Sequence, residues 1–80
     1  MSNLELRGAL AVKKQKKYEL SIRADGLIKG IKHLLAASAI MPISKIDVEQ
    51  VDALSNDLLG IKREYVLVCD DIEKIEKELE

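Results

Sequence analysis

Residues 51–79, VDALSNDLLGIKREYVLVCDDIEKIEKEL, decide the fold. Apolar side chains recur in this stretch at alternating intervals of three and four residues. The pattern holds without a break over nine positions: Val51, Leu54, Leu58, Ile61, Tyr65, Val68, Ile72, Ile75 and Leu79. This spacing places all nine side chains along one stripe of an α-helix. Four heptads of this kind are typical of a helix that packs lengthwise against another, as in a coiled coil. We therefore predict a long second helix over about 46–79.

The only proline, Pro42, lies at the middle of the chain. Proline lacks an N–H group, and it disfavours helical geometry at the residue before it. We therefore predict a turn at 41–45. Two capping pairs can start the second helix, because Ser44 is followed three residues later by Asp47, and Asp47 by Gln50. Both pairs fit the capping-box spacing, and the sequence leaves the choice between them open.

The first half of the chain predicts a helix over about 3–40. It opens with Ser2 and Glu5 at the spacing of a capping box. Gly26 and Gly30 each weaken a helix by about 1 kcal/mol relative to alanine. The apolar stripe keeps its phase across both glycines, so we predict one continuous helix and leave open a bend there. The stripe is weaker than that of the second half, since seven of its ten positions are apolar: Leu6, Leu10, Lys13, Lys17, Leu20, Ala24, Leu27, Ile31, Leu34 and Ser38.

Two helices joined by a short turn pack antiparallel. The predicted fold is thus an all-α, antiparallel two-helix hairpin that forms a single domain over 1–80. A chain of 80 residues buries little surface, and such chains gain stability from disulfides, metals or oligomerisation. The single cysteine, Cys69, excludes an intrachain disulfide, and with His33 alone it does not make a zinc site. We therefore expect the hairpin to dimerise into a four-helix bundle.

The second helix carries more apolar residues than its stripe needs. The run from Tyr65 to Cys69 wraps around the helix, and one partner helix covers only part of that circumference. Large apolar patches on a protein surface usually mark an interface, although single apolar residues scattered over a surface are common. The predicted interface with another chain comprises Ile28, Leu35, Leu58, Leu59, Tyr65, Val66, Leu67, Val68, Cys69 and Ile72.

The two halves of the chain differ in charge. Residues 1–40 carry eight Lys and Arg against three Asp and Glu, and residues 41–80 carry five against eleven. The basic residues centre on a run of four lysines: Lys13, Lys14, Lys16 and Lys17. Such a run is typical of a phosphate-binding patch. An antiparallel hairpin also places it beside the acidic end of the second helix, at Asp70, Asp71, Glu73 and Glu76. We favour pairing within the fold.

The sequence contains no catalytic, cofactor or metal motif: no glycine-rich phosphate loop, no His-Glu-x-x-His and no nucleophile beside a base. No apolar stretch is long enough to span a bilayer, and no signal-peptide pattern is present, so a cytoplasmic location is expected. We predict a non-enzymatic interaction or structural protein that binds itself, as a homodimer or larger oligomer, or another helical protein, with no cofactor and no small-molecule substrate. The alternatives are a nucleic-acid-binding regulator that uses the lysine run, and a chaperone or adaptor.

The residues around the turn and at the chain's end resemble a known group of proteins. The sequence reads LLA at 34–36, MPISKID at 41–47 and IEKIEKEL at 72–79. Small helical-hairpin proteins encoded by Mu-like and other temperate prophages combine a proline-containing turn and an acidic helix start with a second helix that ends in Ile-Glu-x-x-Glu-type repeats. The resemblance implies a helical hairpin of phage origin, and it assigns no functional residue.

Overall fold

The structure, a computed structural model, describes residues 2–80 as two long helices lying side by side. Helix α1 spans Asn3–Ser38 and helix α2 spans Val48–Leu79. A short connection that contains one 3₁₀ turn, Ile43–Lys45, joins them. The helices run antiparallel and form a rod of 60 × 15 × 14 Å. The predicted all-α hairpin is confirmed, and no strand occurs within residues 2–80.

Polar side chains cap the start of both helices. The Ser2 hydroxyl accepts a hydrogen bond from the Glu5 N–H at 3.2 Å. The Asp47 carboxylate accepts one from the Gln50 N–H at 3.1 Å. Each bond satisfies a backbone donor that the first helical turn leaves without a partner. Of the two starts that the sequence allowed for α2, the one capped by Asp47 is correct, and Ser44 lies in the 3₁₀ turn.

Both helices are two residues shorter at the turn than predicted. The last turn of α1 tightens, because the Ala39 N–H donates to the Ala36 carbonyl, three residues back instead of four. On the other side of Pro42, the backbone of Ile46 is extended and its N–H donates to the Ile43 carbonyl at 3.2 Å. Ile46 thus closes the 3₁₀ turn and α2 starts after it, at Val48.

Helix α1 continues without interruption through Gly26 and Gly30, as predicted. The two glycines have different surroundings. A Cβ atom at Gly26 would meet open space, whereas one at Gly30 would lie 3.5 Å from the Leu54 Cδ1. Gly30 therefore marks a point where the backbone of α1 comes close to the side chains of α2.

The core is a single row of side chains between the helices. Every position of the two predicted stripes is buried or half-buried. The centre of the core consists of Leu20, Ile61, Val68 and Ile72, with Leu10, Ala24, Leu27 and Tyr65 packed against it. Leu20 is the only large side chain that is completely buried among the described residues. A core this thin leaves both broad sides of the hairpin uncovered.

Candidate interaction surface

An apolar groove runs along one side of the hairpin, between the two helices. Its volume is about 370 Å³, and Leu20 and Ile61 of the core form its floor. Its walls come from both helices: Ser21, Ala24, Asp25 and Ile28 of α1 and Leu58, Lys62 and Tyr65 of α2. Apart from Asp25 and Lys62 at the rims, the groove offers a partner carbon-rich surface and few hydrogen-bonding groups.

A polar groove runs along the opposite side. Its volume is about 670 Å³, and its lining includes Arg23, Asn56, Asp57 and Glu64. On this side the Lys16 amine lies 3.2 Å from a Glu64 carboxylate oxygen and bridges the two helices. The two grooves thus differ in character, since one is lined mostly by apolar side chains and the other by polar and charged ones, of which Lys16 and Glu64 pair within the chain.

The apolar side extends beyond the groove, because residues seven apart lie on the same side of a helix. Leu35 follows Ile28 by seven residues, and Cys69 follows Lys62 by the same interval. Leu59 and Val66 flank Lys62 in a shallow depression that continues the groove across α2. We define the apolar face as Ile28, Leu35, Leu58, Leu59, Tyr65, Val66 and Cys69. Val66 and Leu35 are 48% and 54% exposed within the single chain.

The structure places seven of the ten predicted interface residues on this apolar face, one at its edge, and two in the core of the hairpin. Val68 and Ile72 are only 5% and 7% exposed, because they occupy stripe positions that face α1. They belong to the core of one hairpin and offer no surface to a second chain, which corrects their assignment to the interface. Leu67 is exposed and lies at the edge of the apolar face, because it lines the same depression as Leu59 and Val66 but follows Gly60 of the polar groove by seven residues.

Sequence reasoning missed Tyr18 as a member of the same side. Tyr18 is 61% exposed and precedes Asp25, at the rim of the apolar groove, by seven residues. The signal was present in the sequence, because a heptad count that starts from Asp25 reaches Tyr18.

Part of the lysine run is paired with α2. The Lys13 amine lies 3.0 Å from Asp71, as the antiparallel fold predicted. Lys16 pairs with Glu64, which lies outside the four acidic residues that we expected as partners. Both pairs are partly exposed, so each contributes only a few tenths of a kcal/mol. The two pairs instead help to set the register of the hairpin, because each joins one level of α1 to one level of α2.

The other two lysines of the run differ in their surroundings. The Lys17 amine lies 5.9 Å from the centre of the Tyr65 ring, within the range of a cation–π contact. Lys14 is exposed and precedes Ser21 by seven residues, which places it on the apolar side of the hairpin. Three of the four lysines therefore contact α2 within the chain.

Within residues 2–80, no three His, Cys, Asp or Glu side chains lie close enough together to hold a metal ion. Cys69 is a half-buried free thiol, and His33 is exposed. The Lys29 amine donates a hydrogen bond to an Asp25 carboxylate oxygen 2.8 Å away, and this bond raises the pKa of Lys29. Neither α1 nor α2 has the length and apolar character needed to cross a membrane.

Comparisons with known proteins identify no relative. No protein-family model matches the chain, and neither a curated protein nor a solved structure is significantly similar to it. The resemblance to prophage hairpin proteins stays a prediction, as does the cytoplasmic location.

Proposed function

We propose that this chain is a non-enzymatic interaction protein that self-associates through its apolar face into a four-helix bundle. The observation that carries the proposal is the amount of surface that one chain leaves uncovered. The hairpin exposes 6133 Å². A compact monomer of its mass, 8.9 kDa, exposes about 4,800 Å². The excess of about 1,300 Å² exceeds the roughly 800 Å² that each partner buries in a stable interface of ordinary size.

The apolar side carries part of this surface. Four large aliphatic side chains of the apolar face, Ile28, Leu35, Leu59 and Val66, are exposed. Removing apolar surface from water contributes about 25 cal/mol per Å², and this is the main driving force for association. The polar groove offers less, because Lys16 and Glu64 already neutralise each other there. A second hairpin covers the apolar sides of α1 and α2 together, as in known four-helix bundles.

The lysine run supports the nucleic-acid alternative less well than its sequence implied. Phosphate binding depends on cationic groups that are free to replace counterions. Lys13 and Lys16 are engaged with carboxylates, and Lys17 lies over an aromatic ring. We therefore expect no salt-dependent binding to DNA or RNA at physiological ionic strength. An adaptor would use the same apolar face to bind a different helical protein. The oligomeric state of the purified chain therefore distinguishes the adaptor alternative from the proposed self-association.

Analytical ultracentrifugation of the purified chain tests the proposal. We expect a mass of twice 8.9 kDa at micromolar concentration. A helical monomer at tens of micromolar would overturn self-association.

Two isoleucines of α1 provide a matched pair that tests the face. Ile28→Glu places a charge on the apolar face and should give a monomer, since an unpaired charge is costly to bury. Ile22→Glu makes the same change at a position that is 53% exposed and is absent from the lining of either groove. It should leave the dimer intact. A dimer that survives Ile28→Glu, or dissociates equally with Ile22→Glu, would place the interface elsewhere.

A further inference from the structure

We infer that two copies of the hairpin associate with both turns at the same end, so that α1 of each chain packs against α2 of its partner. This inference rests on the proposed self-association and specifies its geometry. A twofold axis relates the chains of a homodimer, and for two hairpins stacked on their apolar faces it has two possible directions. An axis along the rod places α1 against the partner's α2. An axis across the rod places α1 against the partner's α1 and moves the turns to opposite ends.

The charges at the rims of the apolar face distinguish the two directions. Heptad spacing from residues of the apolar side identifies these rim charges. On α1, Lys14 lies seven residues before Ser21, and Lys32 lies seven residues after Asp25. Arg7 in turn lies seven residues before Lys14. On α2, the residues at the same interval from Leu59, Val66 and Cys69 are acidic: Asp52, Glu73 and Glu76. The α1 rim is thus basic and the α2 rim acidic, apart from Asp25 and Lys62 at the centre of the groove.

The register within the chain indicates which of these charges meet. Lys13 lies beside Asp71, and Gly30 beside Leu54, so the level of each α1 residue along the rod is known relative to α2. A twofold axis along the rod preserves these levels in the partner. Lys32 then lies level with the partner's Asp52, and Arg7 level with the partner's Glu76. Lys14 falls three residues from the level of the partner's Glu73, which is about 4.5 Å along the axis.

The same charges oppose the alternative arrangement. With the axis across the rod, the basic rims of the two α1 helices lie side by side, and so do the acidic rims of the two α2 helices. Like charges placed together across an interface disfavour that arrangement, whereas complementary charges set its register. Hydrophobic burial supplies the affinity in both cases, and the rim charges select the direction.

Electron spin resonance distances between two labels at the turn measure the direction. Ser44 is exposed in the 3₁₀ turn, and Ser44→Cys in a Cys69→Ala background gives one labelling site per chain. Turns at the same end should give a label separation below about 30 Å, since neighbouring helices lie 8–10 Å apart. Turns at opposite ends should give a separation close to the 60 Å length of the rod. The long distance would overturn the inference and leave self-association standing, whereas a monomeric mass of the native chain would overturn the proposed function itself.

A charge swap in the otherwise native chain supplies a second measurement that keeps Cys69 in place. Lys32→Glu and Asp52→Lys should each raise the dissociation constant of the dimer by about five- to tenfold, because each substitution creates two repulsive contacts by symmetry. The double variant should recover most of the native affinity, because it restores opposite charges at the same level. If the changes in the free energy of association of the two single variants simply add in the double variant, the inference is overturned.

Discussion

Replacing Leu20 by alanine tests whether the hairpin core is organised as described. Leu20 is 0% exposed and packs in a cluster with Ile61, Val68 and Ile72. A buried Leu→Ala substitution costs about 2–5 kcal/mol, depending on how far the surroundings relax into the space left behind. Leu20 also lines the open apolar groove, so its neighbours have room to move. We therefore expect a loss near the lower end, about 2–3 kcal/mol.

Urea unfolding followed by circular dichroism at 222 nm, at one fixed protein concentration, measures this loss. For a chain of this size the slope is about 1 kcal/mol per molar urea, so the midpoint should fall by about 2–3 M. Leu67→Ala is the control, because Leu67 is 63% exposed and lies outside the hairpin core. The control should change the free energy of unfolding by less than about 0.5 kcal/mol. Equal losses for the two variants would refute the described core.

Substitutions at four further positions have defined expected outcomes. Asp47→Ala removes the cap of α2 and should lower the free energy of unfolding by about 1 kcal/mol, whereas Asp47→Asn should retain most of it. Gly30→Ala should raise the melting temperature by a few degrees, because the added methyl meets Leu54 at an ordinary contact distance and alanine favours the helix by about 1 kcal/mol. Val68→Glu should abolish the helical circular dichroism signal, because Val68 lies in the core, whereas Val66→Glu should give a folded monomer.

The fold was predictable because its information is local and periodic. The nine-position stripe of the second helix and Pro42 are sufficient to define two helices and a turn. The start of α2 was not decided by the sequence, since Ser44 and Asp47 both satisfy the capping pattern. The choice depends on Ile46, whose N–H is used by the 3₁₀ turn, and a hydrogen bond across the connection is not visible in residue spacing.

The interface was predictable only in part, for a geometric reason. Five consecutive apolar residues, Tyr65 to Cys69, point in all directions around α2. Which of them remain uncovered depends on the side that α1 occupies. Position in the heptad settles this, because Val68 falls on the stripe and Val66 does not. Our prediction placed Val68 and Ile72 at the interface, although both occupy stripe positions and lie in the core.

The contrast between the two sides of the hairpin limits how many chains an assembly of this kind would contain. If both sides were apolar, each hairpin could stack on two neighbours, and association would continue into filaments. The polar side opposes this, because Lys16 and Glu64 pair there and Asp57 and Arg23 line the same groove. Burying these groups against another hairpin would cost their hydration. In the proposed bundle, the apolar face is therefore used once by each chain, and the polar side keeps the product a closed dimer.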